Sequence, residues 1–443
     1  MVLAHGLGGR SDLPVPLWLA LYGGGAAVVV SFVALGVLWP TPRLDRDTGG
    51  GPLPGGLQRL VDAAATTVVL RVVGLALLGA TIAAAAFGGG NSANNPAPTW
   101  LYVWLWVGLV PASLLLGPVW RRMNPLRVIS ATLARLFGDP HEQGVRPLPP
   151  ALGYWPAVVG LLVFLWLELV YDRASQPSTV LFFVGVYGMV QVAASTMYGQ
   201  TWYARGDAFE VYSTLLARLA PWGRRADGRI VARNPLRGLA DLTVDSSLTA
   251  VVYVLLGSAA FDGLTRTVWW EQLTAGHDRL ALAVIGTLGL AGAIGVVAVT
   301  YVAATRGAAT LATPRPDARW MPPPKAFAHS LVPITVGYTI AHYFSLLIFQ
   351  GQAGYTLASD PLNTGANLLG TADWQINYTA VSPQTIALVQ VAAIVAGHVV
   401  GVVAAHDRAV GLFRRSDTTR AQYPLLAVMV LYTIGGIALL VGA

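Results

Sequence analysis

Apolar residues run along this chain in ten long blocks separated by shorter polar links: Pro16–Trp39, Thr67–Phe87, Trp100–Trp120, Leu152–Tyr171, Thr179–Tyr203, Leu248–Leu264, Leu280–Thr305, Phe327–Phe349, Pro383–His406 and Tyr423–Val441. At about 1.5 Å per helical residue, nine are long enough for a hydrocarbon core of about 30 Å. The sixth is the exception: its clean apolar run, Leu248–Phe261, has 14 residues, which fits a less tilted helix, a thinned bilayer or a re-entrant segment. The pattern predicts an all-α, polytopic integral membrane protein, a single transmembrane domain over residues 1–443.

Charge tests this partition. The links after odd-numbered spans hold 24 of the 28 Lys and Arg residues, among them Arg43, Arg46, Arg127, Arg225, Arg319 and Arg415. The other side holds Arg10, Arg173, Arg266 and Arg279. Positive residues collect on the cytoplasmic side, so the count predicts a plasma-membrane protein with both termini outside. Losing any span would break the alternation, which supports the short sixth one. No basic region precedes the first apolar run, so that run reads as an uncleaved span.

Composition narrows the chemistry. The chain is 55% hydrophobic and 11% charged, with a net charge of +7 and no cysteine. Soluble domains carry about 25% charged residues. The missing thiol excludes disulfides, iron–sulfur clusters and a cysteine nucleophile. Arginine outnumbers lysine 27 to 1, the bias of a GC-rich bacterial genome. No HExxH, phosphate-binding loop or GxSxG occurs, and Gly6–Gly9 precedes no strand pattern. The arginines sit beside spans, where orientation explains them without nucleic acid.

Two basic amphipathic segments follow the third and fifth spans, Arg121–Gly138 and Ala204–Leu219. Shifted by 83 residues they match at seven of sixteen positions, from Arg122/Arg205 to Leu136/Leu219. Either a parallel repeat pairs 100–171 with 183–264, or a shared Leu/Ala/Arg bias makes them alike. Asn124-Pro125-Leu126-Arg127 recurs as Asn234-Pro235-Leu236-Arg237 at another offset. Both amphipathic segments are expected flat on the inner leaflet, apolar face in the bilayer and arginines toward anionic lipids.

Ionisable and polar residues inside apolar blocks mark candidate sites. The fifth span carries Tyr187, Gln191, Ser195, Tyr198 and Trp202 on one stripe; interhelical hydrogen bonds explain it as well as a substrate path does. Glu168 ends the fourth span and Asp262 the sixth. The seventh is glycine-rich, at Gly286, Gly289, Gly292 and Gly295, which predicts a central position. Four of the seven histidines lie in residues 326–407: His329, His342, His398 and His406. Pro333 predicts a kink in the eighth span, where Tyr338 shares a polar face with His342; Gln390, His398 and His406 share a face of the ninth. Residues 350–382 read as a folded outer cap.

Helical rise puts His342 about 22 Å above the inner end of its span and His398 about 12 Å above that end of the next. An offset of about 10 Å disfavours one haem or metal shared by the two. His329 and His406 do share a level near the inner face. Successive depths suit a proton path through Asp262, Glu168, His342, His398 and His406, with Tyr338, Gln390 and Gln191 beside it. The reading is a transporter or permease for a small solute or ion, proton-coupled through membrane histidines. Two others stay open: a membrane subunit of a redox complex binding haem or quinone at His342, His398, His406 or His329, and a non-catalytic membrane partner of other protein subunits.

Overall fold

The computed structural model describes residues 16–44, 50–138, 144–240, 242, 244–318 and 321–441. Gly6–Gly9, Arg10, Arg46 and Arg319 lie outside the described residues. Among the described residues, ten helices are long and apolar enough to cross a membrane: Leu17–Leu38, Ala64–Phe87, Ala97–Leu116, Pro150–Leu169, Pro177–Thr201, Ser246–Leu264, Arg279–Thr310, Pro323–Ala358, Pro383–Leu412 and Tyr423–Leu440. They follow the ten apolar blocks, because a backbone away from water must satisfy its own polar groups and a helix does so within one segment. One small sheet departs from the all-helical expectation. Strands Gly51–Pro52 and Trp222–Arg224 flank Ile230–Ala232, all antiparallel.

The chain divides into two compact units. The first takes Met1–Thr48, Asn234–Ser345 and Val381–Ala443. Here the eighth and ninth helices touch backbone to backbone. A Cβ added at Gly397 would lie 2.7 Å from the Pro333 carbonyl oxygen, and one at Gly401 2.8 Å from that of Ser330. Gly337 faces Gly397 in the same crossing. The small-residue spacing on both helices therefore does what close packing needs. The first helix lies against the ninth and tenth, with Gly24 under Ile437 and Val395.

Three expectations change in this unit. The sixth apolar block, the shortest in the sequence, forms a 19-residue helix with 72% of its apolar window buried. Protein surrounds most of it, which accommodates its polar residues. The glycine-rich seventh helix is not central: 17% of its window is buried, and nothing lies within 4 Å of a Cβ at Gly292 or Gly295. Its close contacts are local, Gly289 under Trp270 and Phe261 and, across the pair, Ile294 over Gly257. The eighth helix is interrupted before Pro333, not at it: a 3₁₀ turn, Ala328–Ser330, separates Pro323–Phe327 from the regular helix that begins at Leu331, and the proline sits in the first turn of that helix, where its missing N–H costs nothing.

The second unit takes Gly49–Arg233 and Leu346–Ala380. Its third long helix opens in π geometry over Trp100–Val107, with the Gly108 N–H donating 2.9 Å to the carbonyl of Val103, five residues back. That stretch carries the outer segment: Trp100 and Trp104 donate their indole N–H groups to the carbonyls of Gly354 (3.2 Å) and Gly351 (3.0 Å). The eighth helix runs on to Ala358, so the non-helical excursion starts at Ser359 and is shorter than the sequence suggests. Its turns are held by hydrogen bonds. Asp360 accepts from the amides of Thr364 (2.8 Å) and Gly365 (2.7 Å), which hold its carboxyl below the usual range, and Ser359 bonds Thr371.

Candidate functional site

Ionisable side chains gather in one place in each unit. In the first, Asp262 near the end of the sixth helix meets His342 of the eighth. His342 Nε2 is bonded to Asp262 Oδ2, and the Arg266 guanidinium reaches both, at 3.1 Å from His342 Nε2 and 3.5 Å from Asp262 Oδ2. His342 and Asp262 are buried. Helical spacing sets Arg266 one turn beyond Asp262, so one acid faces two bases. The cluster thus sets one carboxylate between an imidazole and a guanidinium.

His398 is buried completely on the ninth helix. Its Nδ1 lies 2.9 Å from the Ile394 carbonyl, which fixes the proton on Nδ1 and leaves Nε2 as a bare acceptor. Among the described residues, Nε2 has no hydrogen-bond partner. The ring packs edge-on to Tyr338, whose hydroxyl donates 2.6 Å to the Tyr432 carbonyl. Gln390 is buried a little over two turns away on the same helix.

The other two histidines are anchored. His406 has Gln422 Oε1 3.2 Å from Nδ1 and the Trp39 carbonyl 3.1 Å from Nε2. His329 Nε2 sits 3.3 Å from the Ala404 carbonyl. These bonds occupy ring nitrogens of His406 and His329, whereas His398 Nε2 is left without a partner among the described residues. Among the described residues, no three His, Asp or Glu side chains come together as a metal-ligand set.

Glu168 and Gln191 belong to the second unit. Gln191 accepts the Trp202 indole N–H at 2.7 Å and donates to the Gly206 carbonyl at 3.3 Å. Ser195 takes a bond from Tyr203, and Tyr187 donates 2.6 Å to Asp207. The polar stripe of the fifth helix thus binds the turn that follows it. Glu168 is half-buried near the end of the fourth helix.

The second centre is one that the sequence reading passed over. Glu210 receives a two-pronged bond from Arg127, at 2.7 and 2.6 Å. Asn124 donates 2.6 Å to Asp207 and 3.4 Å to Glu210. Asp207 and Glu210 are almost wholly buried. Burial, aided by the charge of Glu210, pushes the Asp207 carboxyl up to about 6, against hydrogen bonds from Tyr187, the Phe209 amide and Asn124. A cavity of about 300 Å³ lies alongside, lined by Trp104, Trp120, Leu126, Phe183, Tyr187 and Phe209 among others. Its walls are apolar, so it offers the acids no solvation.

The segments around this centre keep the 83-residue spacing. Helix Val119–Met123 is followed by Pro125–Leu136, as Tyr203–Gly206 is by Ala208–Leu216 and the turn Ala217–Leu219. Asn124 caps the Leu126 amide and Asp207 the Phe209 amide. Both hydrogen-bonded pairs, Asn124 with Asp207 and Arg127 with Glu210, join residues 83 apart. Contacts are reciprocal too: the Trp120 ring meets Phe209, and Tyr203 meets Leu126. Helix Ala208–Leu216 is buried nearly all round, so it has no free apolar face to lay on lipid, as the amphipathic pattern had suggested. Its sequence pairs apolar positions with a buried acid, Glu210, which takes Arg127. No family model, curated protein or solved structure matches this chain.

Proposed function

We propose that this chain is a multi-pass plasma-membrane transporter or permease for a small solute or ion, coupled to protons through Asp262, His342 and His398. The observation that carries the reading is the buried Asp262–His342–Arg266 cluster. Buried charge is costly in an apolar bundle and is kept where it works. Protonated His342 and Arg266 share Asp262. With His342 neutral, its Nε2–H can still donate to the carboxylate but the pair carries no cation, so one proton decides whether the sixth and eighth helices are ion-paired. The bare Nε2 of His398 is a second acceptor on the neighbouring helix.

Exposed side chains on the long helices support a bilayer as the surrounding medium. Val37, Leu280, Leu288 and Val299 are all more than two-thirds exposed, an arrangement water would penalise. The excess of arginine on one set of links supports the orientation, with both termini outside.

Purified protein in liposomes with an internal pH dye tests the proposal. Candidate solutes are added under an imposed proton gradient. Solute-dependent proton flux is expected in the wild type, and a loss of about tenfold or more in Asp262→Asn and His342→Gln, with both variants still monodisperse. Full flux in both variants overturns the assignment of the coupling site.

A further inference from the structure

We propose that the Asp207 carboxyl is a second proton-binding site, and that its proton switches the joint between the turns at Asn124 and Asp207. The claim stands apart from transport: it concerns one carboxyl and its partners in the second unit.

The geometry is a charge imbalance buried away from the surface. Two carboxylates, Asp207 and Glu210, are buried with one guanidinium, Arg127. Arg127 spends both prongs on Glu210 and a third N–H on Gln200. Asp207 is left with neutral donors only: the Tyr187 hydroxyl, the Phe209 amide at 3.0 Å and Asn124. Among the described residues, the other packed elements add no counter-charge. Tyr203 donates to Leu126 and Ser130, Arg205 lies over the Tyr154 ring, and Arg122 reaches the Val61 carbonyl and Asp62. The fourth helix meets Ala208 through Gly160. The apolar cavity closes the side of Tyr187 and Phe209. Such a carboxyl takes a proton more readily than one in water.

Protonation changes the bonding as well as the charge. A proton on Oδ2 adds a donor and leaves that oxygen a weaker acceptor for the Asn124 Nδ2 that donates to it. That bond is weakened. Nδ2 has another acceptor within reach in Glu210 Oε2, at 3.4 Å. Asn124 and Asp207 cap the two paired helices, so the proton is read by the link between them.

Infrared titration of the full-length protein in detergent tests this through the carbonyl stretch of a protonated carboxylic acid. A band is expected that is lost as pH rises through about 6 and is absent from Asp207→Asn. Tyr187→Phe removes a bond to the charged form and should raise the midpoint by about one unit, a roughly tenfold higher proton affinity. The phenylalanine variant keeps the test open should the asparagine variant fold poorly. A band that persists in Asp207→Asn, a midpoint in the ordinary carboxylate range, or a midpoint unmoved by Tyr187→Phe overturns the proposal.

Discussion

Three buried aspartates do different work because different donors face them. Asp262 has bases, Asp207 has neutral donors, and Asp407 has an indole and backbone. Asp407 Oδ1 accepts from Trp39 Nε1 at 2.9 Å and from the amides of Arg43 (2.6 Å) and Leu44 (3.3 Å), which ties down the chain after the first helix. Replacing it with alanine strands those donors and should cost about 2–4 kcal/mol, read as a lower thermal midpoint. Asp207 predicts a pH effect of opposite sense to an ion-paired acid. Its carboxyl rises from 3.8 to about 6 on folding, so between those values the unfolded chain releases a proton that the folded one keeps. Stability should therefore fall as pH rises through that window, and Asp207→Asn should flatten the slope. Asp262 and the histidines were legible because each interrupts an apolar run. Asp207 and Glu210 were not, because they sit in a segment whose arginines and amphipathic spacing resemble a surface helix. The missed signal was complementarity: the 83-residue alignment sets Arg127 opposite Glu210 and Asn124 opposite Asp207.

Among the elements, the small-residue faces of the eighth and ninth helices were readable as spacing and are used as contact. Gly397→Leu should drive a side chain into the Pro333 carbonyl and lower both yield and thermal midpoint, whereas Gly292→Leu, with open space around it, should change neither. The contrast also shows why glycine content misplaced the seventh helix. A glycine allows close approach but does not say that anything approaches. Helix existence was legible because ten apolar runs have one solution away from water. The π turns at Trp100–Val107, the small sheet and the extension of the eighth helix to Ala358 were not. They depend on partners distant in sequence, such as the Gly351 and Gly354 carbonyls that the two tryptophans reach.

For the whole molecule, the distribution of charge makes a prediction about sidedness, and the lack of cysteine makes it easy to check. A single cysteine at Ala93, in the link after the second helix, should react with a membrane-impermeant maleimide on intact cells. One at Ser416, after the ninth, should react only once the membrane is opened. The reverse pattern would invert the orientation. The pairing of Arg127 with Glu210 has a separate consequence. Were the joint made by two identical copies of either segment, each of these positions would meet its own kind, guanidinium against guanidinium or carboxylate against carboxylate. One continuous chain avoids that by carrying a left-hand and a right-hand version of the same part. Exchanging the two residues, as in R127E/E210R, should be tolerated far better than either change alone, and neither segment can serve as its own mate.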